Sequence, residues 1–251
     1  MTYFGSKRRY VSEIVPIIDK YIEKNNITTI YDIFCGGANI GDKFQCENVI
    51  CSDLSPSLIA LHQQAQEDFS LIPTDGSREY WDEAYTNWKM LRASNFKDFS
   101  VLTMPLYKIG AIEWYGSFSN GGFPRGYAKN SATRNYYQEA RRNHEAQSKL
   151  KNYKKIHFIC SDYRELEIPE DVLIYADSPY KNTKPYGISP KFNHEEYYNW
   201  LREKSKTNPI FISEQIMPED FEAIWHKDTN RTCGRDNNFK ACETLYFIDN
   251  R

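Results

Sequence analysis

The sequence predicts an α/β protein built on a doubly wound, mostly parallel sheet, and three observations carry that prediction. Short apolar runs recur along the chain, each closing on an acidic residue: Asn48–Ser52 on Asp53, Ile156–Ser161 on Asp162, Val172–Ala176 on Asp177, Pro209–Ser213 on Glu214. Continuous rather than alternating apolar character is the mark of strands buried on both faces. The strand-like stretch Thr28–Phe34 also runs directly into Cys35-Gly36-Gly37-Ala38-Asn39-Ile40-Gly41, a glycine loop that lets a ligand approach the backbone closely. In such sheets the carboxyl ends of the strands face one crevice.

At 251 residues the chain can bury a full α/β core with room for one inserted subdomain. No apolar run approaches the length of a membrane span, and no leader pattern precedes the basic residues at 7–9. The expectation is a cytoplasmic protein without a membrane partner. Six cysteines (35, 46, 51, 160, 233 and 242) show no C-x-x-C pairing, so neither a disulfide nor a metal site is expected. The formal net charge is −2, but residues 101–160 hold ten Lys/Arg against three Glu, a surplus of +7 that leaves −9 elsewhere. That split suits one face meant for a polyanion.

The chain opens with Tyr3-Phe4-Gly5-Ser6-Lys7, an aromatic residue and a glycine turn ahead of a basic cluster. Val11, Ile14, Val15, Ile18 and Ile22 have helical spacing, which Pro16 should kink or restart, and Asn25-Asn26 ends the helix. The glycine loop should lead into a helix start. Asp53, 17 residues after Gly36, stands where a carboxylate at the tip of a second strand grips ribose hydroxyls. Ser55-Pro56 opens the next helix, through Leu58, Ile59, Leu61 and His62. The segment from Arg78 to Leu150 is aromatic and helical. Within it, residues 114–127 alternate aromatics with glycines beside a basic helix expected from Ala132 to Leu150, a pairing suited to stacking and phosphate contact. Asn193 with Glu196 three residues on forms a capping arrangement for a late helix, and Thr244–Ile248 is the last of six expected strands.

In this order the pieces resemble the Dam-like, phage-type family of S-adenosylmethionine-dependent DNA adenine-N6 methyltransferases. Tyr3-Phe4-Gly5-Ser6-Lys7 resembles the family's Y-x-G-G-K, Phe34 to Ala38 its F-x-G-x-G, and Asp177-Ser178-Pro179-Tyr180 its D-P-P-Y. Phe192 to Trp200 and Phe211 to Glu214 fit as well. The resemblance implies a Rossmann-like catalytic domain over residues 1–75 and 155–251, with an inserted helical DNA-recognition subdomain at 76–154. It implies S-adenosylmethionine held by Tyr3, Lys7, Phe34, Gly36, Gly37, Ala38, Asp53, Asp162 and Asp177. Asp177, Ser178, Pro179 and Tyr180 would do the chemistry on an adenine flipped out of double-stranded DNA. Phe118, Phe123, Arg125, Lys129, Arg134, Arg141 and Arg142 are the expected DNA contacts.

Ser6 and Ala38 replace family glycines by small residues, and Ser178 replaces the first proline of the tetrad. Serine first is the pattern of cytosine-N4 enzymes, which makes cytosine-N4 methylation one alternative, whereas the acid at 177 favours adenine. A binding module that lost turnover through Ser178 is a second alternative. A Rossmann oxidoreductase is disfavoured because a dinucleotide fingerprint wants glycine where Ala38 stands.

Overall fold

The computed structural model describes residues 1–131, 133–181, 192–232 and 238–251; for 229–232 and 238–241 it describes the backbone alone. Ala132 and Cys233 lie outside the described residues. Seven strands form one sheet: β1 (Thr29–Asp32), β2 (Asn48–Asp53), β3 (His157–Cys160), β4 (Leu173–Ala176), β5 (Ile210–Glu214), β6 (Glu222–Thr232) and β7 (Asn238–Ile248). Their order is β3-β2-β1-β4-β5-β7-β6. β3 through β5 run parallel, and β7 lies antiparallel between β5 and β6. This is the Rossmann-like order with its reversed strand, and the chain reverses direction across the sheet between β1 and β4.

Alternate residues of the central strands feed two separate cores, as a pleated strand requires. Tyr175 and Phe211 join Ile14, Ile18, Leu58, Leu61 and Tyr153 on one face, under α1 (Val11–Lys24) and α2 (Pro56–Glu67). Ile174, Ala176, Ile210 and Ile212 point the other way, where α6 (His194–Lys204) packs through Tyr197 and Leu201. The β2–α2–β3 and β4–α6–β5 units thus cover opposite faces, and the sheet is doubly wound. Helices α3 (Arg78–Ala93), α4 (Leu106–Gly116) and α5 (Tyr136–Ser148) stack on the α2 side. Their Trp81, Trp88, Ile109, Ile112, Trp114 and Tyr115 share the first core.

Five local expectations need correction. β6 makes seven strands rather than six; its sequence EAIWHKDTNRT has no apolar run because it is an edge strand, shielded by a register shift at Ala223/Trp225. β7 begins at Asn238, not Thr244. α1 passes through Pro16 without restarting, since an exposed proline there costs only one backbone hydrogen bond. The glycine loop leads only to a single 3-10 turn, Gly41–Lys43, and the basic helix is shorter than expected, starting at Tyr136 under the Asn135 cap.

Candidate active site

Parallel pairing of β3, β2, β1, β4 and β5 puts Asp162, Asp53, Asp177 and Glu214 along one edge of the sheet. The glycine loop sits at the centre of that edge. Ile33 N–H donates to Tyr175 O at 3.1 Å and Cys35 N–H to Ser52 O at 2.8 Å, so the loop leaves β1 between the ends of β4 and β2. Gly36 has φ +47°, and a Cβ there would stand 2.7 Å from the Tyr3 ring, which roofs the loop. Ala38 adopts φ +51°, a left-handed conformation that suits the family's glycine better than alanine. Asp53 fixes the loop from β2 by accepting from Gly36 N–H (3.1 Å) and Ser55 N–H (2.9 Å). Gln147 of α5 fixes it from above, its amide donating to Ala38 O at 2.9 Å and to Asp42 Oδ2 at 3.1 Å.

At the β4 end, Lys7 is buried and forms ion pairs with Asp177 (2.8 Å) and Glu243 (3.2 Å). It also hydrogen-bonds the Tyr180 hydroxyl and lies over that ring, 4.3 Å from its centroid. Tyr180 donates to Glu243 at 2.6 Å. Burial works against the Lys7 charge, but the Asp177 and Glu243 carboxylates outweigh it and raise its pKa. Burial pushes Asp32 far up, helped by Asp177 and Asp53, and one of its oxygens has no hydrogen-bond partner. Glu214 is pushed up to about 8, again chiefly by burial. The Ser178 side chain is buried beside Tyr197.

The amino-terminal turn joins this site to the aromatic loop. Tyr3 packs on Trp114 (centroids 4.9 Å apart), Phe4 N–H donates to Asn120 O, and the Arg125 guanidinium lies 3.7 Å over the Phe4 ring. Phe118 is 61% exposed at the loop surface. Phe123 departs from expectation, being buried among Trp81, Tyr85 and Trp88, where no base can reach its face. Arg141 departs too: its guanidinium donates to Pro73 O and Ile72 O and covers Phe69, so it ties α5 to the loop before α3. Arg134 is exposed but makes a bidentate pair with Glu139, whereas Lys129 and Arg142 are exposed. Asp162 is held in a chelate by Arg164, which keeps its carboxyl below the usual range. Phe34 turns its ring toward Tyr163 and Tyr197.

Residues 3–222 match the D12 class N6 adenine-specific DNA methyltransferase family. The chain belongs to this family. The methyltransferase acts on adenine N6 of DNA, and its methyl donor is S-adenosylmethionine. No curated protein matches it in sequence. Among solved structures, the rRNA methyltransferase aviRa from Streptomyces viridochromogenes is 11% identical with a TM-score of 0.40, covering 98% of this chain and 86% of its own. SMU.472, assigned as a methyltransferase and solved with SAH, is 10% identical with a TM-score of 0.35, covering 98% of this chain and 55% of its own. Likeness at that level adds nothing to the strand order.

The residues present suit the donor. The Gly36–Gly37 backbone is covered by Tyr3 so closely that a Cβ at either glycine would collide with it, and buried Asp32 keeps an oxygen with no hydrogen-bond partner among the described residues. Among the described residues, no group of three or more His, Cys, Asp or Glu could hold a metal, and no helix is long and apolar enough to cross a membrane. Sequence reading missed Glu243 and Lys7's place against the tetrad. The register of β7 was the missing information, since Glu243 precedes the stretch that reads as a strand.

Proposed function

We propose that the methyltransferase binds duplex DNA, takes the target adenine out of the stack and methylates its amine at the β4 edge. The observation that carries this reading is the junction of Asp177, Tyr180 and Lys7 with the glycine loop that leaves β1. An exocyclic amine is a poor nucleophile because its lone pair is delocalised into the ring, and it cannot be reached inside a duplex. Asp177 and the Ser178 carbonyl accept its two N–H bonds and localise the lone pair. Tyr180, whose hydroxyl is tied to Glu243 and Lys7, offers a ring of fixed orientation for stacking. Bound S-adenosylmethionine supplies a methyl group on a positively charged sulfur. With the methyl group transferred and the sulfur left neutral, Asp177 or water would take the amine's surplus proton. Positioning and electrostatics supply the rate, with no covalent enzyme intermediate.

Tyr3, Lys7, Phe34, Gly36, Gly37, Ala38 and Asp53 are proposed to line the donor site. Phe118, Arg125, Lys129 and Arg142 are proposed DNA contacts on the segment 76–154, whose exposed cations lie beside the site. Incubation with labelled S-adenosylmethionine and unmethylated DNA, followed by digestion to nucleosides, should yield N6-methyladenosine in the wild type and none in Asp177→Ala. N4-methylcytosine as the product, or wild-type turnover in the folded variant, would overturn the reading.

A further inference from the structure

A line of four side chains, each fully buried, runs from the glycine loop into the helices stacked above α2. His62 Nε2 lies 2.9 Å from Gly36 O, and His62 Nδ1 lies 2.8 Å from the Tyr153 hydroxyl. The same hydroxyl lies 2.8 Å from His144 Nε2, and His144 Nδ1 lies 2.5 Å from the Tyr115 hydroxyl. The line therefore links α2, the turn Tyr153–Lys155, α5 and α4 to one carbonyl of the loop.

Its direction is fixed by one end. A carbonyl oxygen only accepts, so His62 carries its proton on Nε2 and its Nδ1 accepts from Tyr153 O–H. Tyr153 oxygen then accepts from His144 Nε2–H, and His144 Nδ1 accepts from Tyr115 O–H. His62, Tyr153 and His144 each have one donor and one acceptor in use and Tyr115 its donor, and reversing any link would leave two donors or two acceptors facing each other. Burial keeps both imidazoles neutral, pushing His62 down to about 3 and His144 lower than its usual range as well. It keeps both phenols protonated. None of the four changes charge near neutrality, so a proton-relay role does not fit.

We infer that this Tyr115–His144–Tyr153–His62 line positions the donor-binding loop, by holding the Gly36 carbonyl turned into the protein. Gly36 is clamped on both sides: Asp53 takes its N–H from β2, and His62 holds its C=O from α2. At φ +47° the peptide after Gly36 has a glycine's freedom to rotate. Without His62 that oxygen would lose the contact that keeps it turned away from the proposed donor site. The four side chains are positioning residues for the donor site, and the inference rests on the reading of the Gly36 loop as that site.

The test uses the full chain and S-adenosylhomocysteine as the titrated ligand. Tyr153→Phe keeps the ring and breaks the middle of the line; His62→Leu removes the donor to Gly36; His62→Gln retains a terminal N–H. Calorimetry should show about tenfold weaker binding for the first two and near wild-type binding for His62→Gln. Circular dichroism should match throughout, and fluorescence anisotropy should give unchanged DNA affinity. Imidazole 15N spectra of the wild type should show the Nε2–H tautomer at both histidines. Unchanged affinity in folded Tyr153→Phe, or an Nδ1–H tautomer at either histidine, would overturn the inference. Failure of the wild type to bind the ligand would instead sink the reading of the loop, while the tautomers would still report on the line.

Discussion

Lys7→Met tests the electrostatics of the site. The substitution keeps an unbranched side chain of similar length in the same space and removes only the charge and its donors. Two carboxylates then lose their cation: Glu243, 2% exposed, and Asp177, 19% exposed. Removing one partner of a buried pair typically costs about 3–5 kcal/mol, because the other charge stays buried and uncompensated. Asp177 keeps some hydration, which places the expected cost near the lower end, roughly 3 kcal/mol. In a domain of this size each kcal/mol moves Tm by about 2–4 °C, so Tm should fall by roughly 6–12 °C. Lys7 has a raised folded pKa, so its stabilisation is complete below the unfolded value of 10.5 and is lost only as pH rises above it. The deficit should therefore be the same at pH 7 and pH 9. Adding Glu243→Gln to the variant removes the most buried of the stranded charges and should recover at least half of the loss. Scanning fluorimetry of the wild type, both single variants and the double variant measures the coupling directly. A Tm within 2 °C of wild type for Lys7→Met, or no recovery in the double variant, would refute the assignment of Lys7 as the counter-charge.

Three further outcomes are expected. Glu113 is fully buried in α4 and pushed up to about 8 by burial, so ionising it costs stability as pH rises from about 4.5 to 8; Glu113→Gln should gain on the order of 2–4 kcal/mol over wild type at pH 9 and nothing near pH 4.5, and urea melts showing a pH-independent gap would contradict this. Phe118→Ala should weaken DNA binding by about 1–3 kcal/mol without lowering Tm, whereas Phe123→Ala should cost about 3–5 kcal/mol of stability, and the reverse assignment in paired anisotropy and melting experiments would show the loop to be misread. Ser178→Pro restores the family's tetrad and should hold or raise the methylation rate; a large fall would mean that the site depends on the serine.

The catalytic edge was legible because central parallel strands are plain in sequence. β4 and β5 are buried at every position, so they read as apolar runs, and the polar residue that ends each run marks the sheet edge. The glycine loop and Asp53 were legible for the same reason, as punctuation after such runs. What escaped was everything decided by lateral packing. β6 has an edge strand's polar composition, so its pairing with β7 left no periodic trace, and with it went the placement of Glu243. Phe123 and Phe118 are the same residue type five positions apart in one loop, yet one is buried and the other exposed. That difference is set by the three aromatic rings of α3 and by no local pattern. His62 and His144 lie on apolar helix faces, 82 positions apart, and only the fold brings both to Tyr153.

Burial also sorts the carboxyls of the site by role. Asp32 and Glu214, held in their places with little or no compensation, have pKa values pushed upward. At neutral pH such groups cost least when they carry a proton, and a protonated carboxyl is a hydrogen-bond donor. Asp177 and Glu243 instead share Lys7. A second cation in place of Tyr180 would neutralise the pair fully. A phenol satisfies Glu243 without adding charge. Tetrad and amino-terminal motif thus meet on a single positive charge shared between two acids.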